Sequence, residues 1–412
     1  LAFHLKKQGY ATAHIGKWHI GTRDRNIRNE ILKKHNVQGN HGSFQLRKKY
    51  PEAFKEINES GFYGSVIEKH NPLNNGFDYY FGYNNWASQF YNSFMVWEGF
   101  QHAGIQKNYN TDVFTDTAIS FIDKELRKNK PFYVQLHYHA VHDSLKPKAP
   151  DRYYQKFQSG SFDLNNFYAH MNAVDEGIKK IIQLLQSYNE LENTLIVFSS
   201  DNGASSGGPS VLPGNAPFKG HKGMYFGGGI RVPLFFYWPE KIHNGMRSGL
   251  MVSNLDILPT FIDASGGVVP DSLDGKSLLD VIAGKTNEPV HEYLCWAGMH
   301  STYFGYMINK SLKGDLRDSP PARAVIKDNY LLRYTGTIPP DLYIDCPQGM
   351  DPKIELFNLT KDPLEQMDLK YGNPQKYKEL DSIYHSWQKV MEPPVNWNKN
   401  KWLELVENPE SI

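Results

Sequence analysis

The chain has 412 residues, of which 40% are hydrophobic and 22% charged, and this ordinary globular usage excludes a wholly disordered chain. Its formal net charge of +1 excludes a global field that would recruit nucleic acid or an anionic membrane surface. The two cysteines, Cys295 and Cys346, exclude a disulfide framework and a cysteine-rich zinc module.

The first residues predict a helix that belongs to a longer protein. The chain begins with Leu1 instead of Met, and residues 1–5 already have a helical pattern. No basic segment followed by an apolar core is present, so no signal peptide is visible. Apolar runs such as residues 232–238 are too short to span a bilayer. We therefore expect an upstream segment that this sequence does not contain.

Short apolar runs at four places predict buried strands, and polar residues follow each of them. Helical patterns at residues 112–127 and 164–186 lie between the strands. Alternating strands and helices indicate an α/β fold whose mostly parallel central sheet is sandwiched by helices. Ligands of such sheets bind at the carboxyl ends of the strands, where the polar residues should meet. The four predicted strands are residues 12–15, 132–136, 195–198 and 232–237.

A change of composition after Gly284 predicts a domain boundary. We assign residues 1–285 to a catalytic domain and residues 286–412 to a smaller C-terminal α+β domain. The smaller domain has predicted strands at 323–326 and 330–334 and a predicted helix at 376–391, followed by an irregular tail. The charge-rich stretch 21–75 has two interpretations, a substrate-facing wall or lid and a solvated excursion.

The sharpest motif lies at residues 9–19, where Gly-Tyr-x-Thr is followed after three residues by Gly-Lys-Trp-His. A glycine at the end of a strand permits close backbone approach. Lys17 offers a fixed positive charge, and His19 offers a proton relay near neutral pH. The pattern matches a signature of the type I sulfatases at every defining position, so the chain resembles that family of the alkaline phosphatase superfamily. The alternative is that both side chains are ordinary loop residues.

A second motif, Asp201-Asn202-Gly203, follows the predicted strand at residues 195–198. Carboxylate and amide oxygens are the hard ligands that a calcium or magnesium ion prefers. In isolation the same three residues would be typical of a turn. The resemblance to sulfatases assigns metal ligation to Asp201 and Asn202.

Two further segments resemble the sulfatase pattern. Residues 218–233 resemble Gly-x-Lys-Gly followed by Gly-Gly-x-Arg-x-Pro, which makes Lys222 the lysine that contacts sulfate; the family usually has Glu where this chain has Gly227. A flexible surface loop is the alternative. After the strand at 132–136, the family often has Pro-His, and its histidine protonates the leaving alcohol. The matching residue is His142, although His137 and His139 lie close enough to compete.

Supporting matches at residues 76–82, 355–359 and 362–365 extend the resemblance to about residue 370. The family's nucleophile is a formylglycine made from Cys or Ser in a Cys/Ser-x-Pro-x-Arg motif, with a pair of Asp metal ligands further upstream. Neither precedes Gly9. Residues 319–323 fit the motif literally but lie in the smaller domain, outside the expected context. We expect the formylglycine upstream of Leu1, and we expect the present chain alone to be inactive.

The resemblance implies a sulfuric ester hydrolase with one calcium ion. Lys17, Lys222 and His142 would bind the substrate, and His19 would act on the formylglycine. It also implies maturation by a formylglycine-generating enzyme or an anaerobic maturase, export to the periplasm or outside, and a sulfated carbohydrate as substrate. Alternatives are a phosphate or phosphonate ester hydrolase of the same superfamily and an inactive sulfatase-like binding protein.

An aromatic segment after Gly82 contains Trp86, Tyr91 and Trp97. These side chains would stack on sugar rings if they faced a substrate. In the other interpretation they belong to the core or to an interface, where such residues are found more often.

Overall fold

A computed structural model describes residues 1–142, 145–205, 212–298, 322–335 and 353–392. The chain forms two compact units. The first contains Leu1–Leu195, Trp238–Arg247 and Ser253–Asn287, and the second contains Ile196–Tyr237, Ser248–Val252 and Glu288–Ile412. The boundary after residue 285 stays a prediction, and Ile196–Tyr237 groups with the C-terminal residues.

The helices confirm the predicted helical patterns. None of those in the described ranges is long and apolar enough to cross a membrane. In chain order they are α1 Ala2–Lys7, α2 Arg25–Lys34, α3 Ser43–Lys49, α4 Pro51–Glu59, α5 Asn110–Leu126, α6 Asp151–Tyr154, α7 Phe162–Ser187, α8 Gly227–Ile230, α9 Ile257–Ala264, α10 Leu279–Ile282 and α11 Pro374–Val390.

Eleven strands are described, and they include all six of the predicted ones. They are β1 Ala11–Lys17, β2 Tyr79–Tyr83, β3 Trp97–Glu98, β4 Gln101–His102, β5 Phe132–His137, β6 Ile196–Ser199, β7 Leu234–Tyr237, β8 Leu294–Gly298, β9 Ala322–Lys327, β10 Tyr330–Thr335 and β11 Lys353–Asn358.

The first unit is built on a five-stranded sheet with the order β4-β3-β2-β1-β5. β1 runs parallel to both β2 and β5, as the α/β prediction requires. β3 runs antiparallel to both β2 and β4. β3 and β4 form a hairpin through the two-residue turn between Glu98 and Gln101. The α/β class is therefore confirmed, with a sheet that is mixed at one edge. Ile15 of β1 and Phe114 of α5 are fully buried in its core.

The second unit contains two sheets. Among the described strands, β6 pairs only with β7, and this pair is antiparallel. These two strands therefore do not join the parallel sheet that the sequence pattern predicted. The predicted burial of β6 and β7 is also wrong for Phe198, Phe235 and Tyr237, which are exposed. A four-stranded antiparallel sheet, β11-β10-β9-β8, packs on α11 through Leu380 and Tyr384.

The stretch 21–75 is folded instead of being a solvated excursion. Helices α2, α3 and α4 enclose a small core of their own, which includes Leu46 and Ile57. The stretch is tied to the end of β1, since the indole N–H of Trp18 donates to the carbonyl of His70 over 2.9 Å. It is therefore a fixed neighbour of the Gly-Lys-Trp-His motif, which is compatible with the predicted wall.

Candidate active site

The end of β1 fixes the backbone of Lys17. Gly16 has a φ of 100°, and a Cβ there would lie 1.9 Å from the carbonyl oxygen of His137, so only glycine fits. His14 Nε2 and His137 Nδ1 each lie 3.1 Å from the Lys17 carbonyl oxygen. Because a carbonyl only accepts, both rings donate to it. Two histidines that the sequence analysis gave no such role therefore hold Lys17 in place.

Burial favours the neutral form of His14, and the hydrogen bonds of His137 fix which of its ring nitrogens donates. The ring of His14 is completely buried, and burial, followed by the neighbouring His137, lowers its pKa well below the ordinary value. His137 Nε2 lies 3.0 Å from the side-chain amide nitrogen of Gln135, which donates to it. The position of a histidine in a strand does not by itself reveal a contact between its ring and a carbonyl. The three-residue spacing of His14 and Lys17 was the only signal of this contact in the sequence.

In the first unit, Lys17 and His142 both lie near His139. His139 is 2% exposed, its Nδ1 lies 2.9 Å from the hydroxyl of Tyr83, and its ring centroid is 5.9 Å from that of His142. Burial, then the charges of His142 and Lys17, lowers the pKa of His139 to about 3. His139 is thus a buried neutral ring, whereas His142 is partly exposed. This difference favours His142 as the proton donor, which stays a prediction.

Buried neutral histidines make the stability of the protein depend on pH. Burial lowers the pKa of His139 to about 3 and that of His170 to about 4. The unfolded chain takes up protons below about pH 6.5, whereas the folded rings stay neutral, so folding is weakened as the pH falls. We expect each ring to reduce the free energy of unfolding by up to about 1.4 kcal/mol per pH unit between about pH 6 and 4.

Urea denaturation at several pH values measures this loss. His170→Gln should make this pH dependence shallower by the contribution of one histidine, whereas replacing the exposed His243 with Gln should leave it unchanged. Equal slopes in the wild type and His170→Gln would contradict the assignment of a neutral buried ring.

In the second unit, Asp201 is exposed and Asn202 half-buried directly after β6. The Asn202 amide nitrogen donates to the carbonyl of Gly203 over 3.0 Å, so its side-chain oxygen is the atom suited to a cation. Two hard oxygens fit calcium in kind, but calcium takes about six to eight. The described residues include no group of three or more His, Cys, Asp or Glu that could hold a metal ion. The pair therefore fits as part of a ligand shell.

Asn215 joins the Asp201-Asn202 turn to the loop that carries Lys222. Its Oδ1 accepts the N–H of Ala204 over 2.7 Å, and its Nδ2 donates to the carbonyls of Ala204 and Gly220. The backbone N–H of Lys222 donates to the same Ala204 carbonyl over 3.0 Å. The predicted metal ligands and the predicted sulfate-binding lysine are thus brought together within this unit. The sequence analysis missed Asn215, which lies in no quoted motif.

Glu365 supports the same loop from a distant part of the sequence. Its Oε1 accepts the N–H of Gly227 over 2.7 Å, and its backbone carbonyl accepts from Nζ of Lys219 over 2.8 Å. Buried Arg333 bonds to Glu365 and, over 2.9 Å, to Glu355. A Cβ on Gly227 would lie 3.1 Å from Glu365 Oε1. The carboxylate of Glu365, which is distant in sequence, therefore contacts the backbone at position 227, where the family usually has a Glu of its own.

The other predicted residues are placed as follows. His19 is exposed and has a φ of 50° directly after the Lys17-Trp18 pair. Arg323 of the decoy motif lies in β9, where its guanidinium donates to Asp381 over 3.1 Å, as an ordinary strand residue would. Ser319 and Cys346 lie outside the described residues, as does the predicted tail after residue 392.

Comparison with known proteins decides the family. The family model named Sulfatase matches residues 1–268, which is more than half of the 412-residue chain. The chain belongs to the sulfatase family. It is 28% identical over 405 residues to the "Uncharacterized sulfatase YdeN" of Escherichia coli (strain K12), covering 95% of this chain and 66% of the relative. It is 27% identical over 407 residues to an arylsulfatase of Hemicentrotus pulcherrimus, covering 89% of this chain and 61% of the relative.

This sulfatase chain thus spans less than two thirds of the length of these curated relatives. Among solved structures it is similar to Ps i-CgsB, with a TM-score of 0.71 and 22% identity over 99% of this chain and 78% of that one. A second structure, of a protein in complex with its substrate D-glucosamine-2-N,6-O-disulfate, has a TM-score of 0.59 and 18% identity over 100% of this chain and 83% of that one. At these identities the likeness shows the fold.

Proposed function

We propose that this sulfatase hydrolyses a sulfate ester of a sulfated carbohydrate. The observation that carries the proposal is that Lys17, at the carboxyl end of β1, and His142, after the neighbouring parallel strand β5, both lie near the buried His139. Such strand ends are where α/β proteins bind their ligands. Support for a sugar comes from the structural neighbours, because Ps i-CgsB was also solved in complex with k-i-k-neocarrahexaose.

The side chains have complementary roles in this proposal. Lys17 and Lys222 bind the sulfate oxygens and offset the charge that develops on them. His142 binds the ester oxygen and protonates it as the alcohol leaves. His19 holds the nucleophile and moves its proton. Within the first unit two histidines hold the Lys17 backbone, and within the second unit the Ala204 carbonyl holds the Lys222 backbone.

Asp201 and Asn202 would supply two oxygen ligands to a calcium ion, which when bound supplies a positive charge to a sulfate oxygen. We propose a formylglycine as the nucleophile, encoded ahead of Leu1 and made by a formylglycine-generating enzyme or an anaerobic maturase. We also propose a periplasmic or secreted location. Reading the in-frame DNA upstream of Leu1 tests these points, since it should encode Cys/Ser-x-Pro-x-Arg and an export signal.

A sulfate-release screen of the full-length protein on sulfated sugars, with matched phosphorylated sugars, tests the function. We expect release of sulfate from at least one sulfated sugar. The kcat/KM on the phosphorylated counterpart should be at least about 100-fold lower, since one catalytic centre rarely stabilises the transition states of sulfate and phosphate ester hydrolysis equally. Preferred phosphate release would favour a phosphate ester hydrolase. Binding of the sulfated sugar without turnover would favour an inactive binding protein.

A further inference from the structure

The three aromatic residues of the segment after Gly82 occupy different environments. Trp97 is partly buried, and its indole N–H donates to the carbonyl of Gly61 over 3.0 Å. Tyr91 packs on Tyr109 in a core cluster, and its hydroxyl donates to the carbonyl of Lys148 over 3.3 Å. Trp86 is 52% exposed. The interpretation as core residues therefore suits Trp97 and Tyr91 but does not suit Trp86.

A single exposed tryptophan is ordinary on a protein surface, so the position of Trp86 is what matters. Its ring centroid lies 5.9 Å from that of His142, at an interplanar angle of 56°. His142 in turn lies 5.9 Å from His139, whose pKa is lowered by the charge of Lys17. The exposed indole thus borders the side chains that we assign to the sulfate ester.

Trp86 is carried on a rigid backbone. Asn84, two residues before it, accepts the N–H of Gly21 over 3.1 Å and donates to the carbonyls of Gly21 and Ser65. Asn85 accepts from the guanidinium of Arg23 over 3.1 Å. Both asparagines are buried. Asn84 and Asn85 therefore tie the backbone next to Trp86 to the chain that follows His19, close to the end of β1.

We propose that Trp86 is the platform on which the sugar ring bearing the sulfate ester stacks. A pyranose presents an apolar face of C–H groups, whereas its hydroxyl groups point outward and remain available to water and polar side chains. The indole face offers the matching apolar surface, and its Nε1–H remains available to a hydroxyl. An aryl or steroid group would instead require an enclosed apolar pocket. The ring next to the Trp86 indole is that of His142, a polar side chain, which suits the sugar.

The proposal rests on the proposed function, and kinetics of the full-length enzyme separate the two. The substrate is the sulfated sugar that the wild type hydrolyses best, and inorganic sulfate serves as a competitive probe of the sulfate position alone. Trp86→Ala should raise the KM for the sugar by about fivefold to tenfold and Trp86→Phe by less than about threefold. The inhibition constant of inorganic sulfate should stay within about twofold in both variants. Trp97→Phe, a matched change in the same segment, should leave the KM unchanged.

Each outcome has one meaning. A raised KM for the sugar with unchanged sulfate inhibition supports the platform. An unchanged KM in Trp86→Ala, with wild-type turnover intact, overturns the platform and leaves the proposed function standing. Sulfate inhibition that weakens together with sugar binding also overturns it, because the defect is then a general one. If the wild type hydrolyses no sulfated sugar, the proposed function fails first and the platform falls with it.

Discussion

Replacing Lys17 with alanine is expected to lower the kcat/KM of the full-length enzyme for sulfate esters by about 10²- to 10³-fold. The reason is that a fixed ammonium group aimed at the sulfuryl oxygens stabilises charge mainly in the transition state. The two histidines that bind the Lys17 carbonyl contact only its backbone, so the variant keeps these bonds. The thermal unfolding midpoint should therefore change little, and inorganic sulfate should bind more weakly in calorimetry.

The matched control is Lys7→Ala, which removes an exposed lysine from helix α1 of the same unit. It should leave both kcat/KM and sulfate binding at the wild-type level. A Lys17→Ala enzyme that keeps more than about a third of the wild-type kcat/KM would show that this lysine does not act on the substrate.

Replacing Arg333 with methionine is expected to lower the free energy of unfolding by about 3–5 kcal/mol. The Arg333 side chain is 1% exposed and bonds to Glu365 and Glu355, whose side chains are 2% and 13% exposed. Its guanidinium also lies 3.6 Å from the ring centroid of Phe226. Without the arginine, the buried Glu365 carboxylate loses its counter-charge, whereas Glu355 keeps its ion pair with Lys353 at 2.7 Å. The uncompensated charge of Glu365 is the main source of the loss.

Urea denaturation measures the effect, with Arg231→Met as the control. Arg231 is exposed, and its guanidinium lies 4.5 Å from the ring centroid of Phe218, so its loss should cost less than about 1 kcal/mol. The double variant Arg333→Met/Glu365→Gln should recover part of the stability, since one buried carboxylate is neutralised. Equal stabilities of Arg333→Met and the wild type would refute a structural role for the buried arginine.

The sequence predicts well those features that depend on local patterns. Three- and four-residue apolar spacing marks α5 and α7, and the hydroxyl of Ser161 accepts the N–H of Leu164 near the start of α7. The glycine of the Gly-Lys-Trp-His motif indicated close backbone approach, which the contact between Gly16 and His137 requires. These signals lie within a few residues of one another, so periodicity and motif spacing reveal them.

Features that depend on partners far away in the sequence could not be predicted. The apolar run of β6 suits a buried parallel strand as well as it suits the antiparallel ribbon with β7, because periodicity does not specify the partner. The bond from His137 to Lys17 joins residues 120 positions apart. The contact between Glu365 and Gly227 spans 138 positions. Its only signals were the unusual glycine at 227 and an Asp-Pro-x-Glu match that carried no chemistry of its own.

That last contact bears on how sulfatases of this kind can be shortened or recombined. The family model ends at residue 268, yet the carboxylate that supports the Lys222 loop belongs to residue 365, and its counter-charge belongs to β10. A truncation at the predicted boundary, or a chimera that takes its C-terminal sheet from another relative, would separate Gly227 from Glu365 and Arg333. The C-terminal sheet and the loop that carries Lys222 are therefore one structural module, and an exchangeable module must contain both.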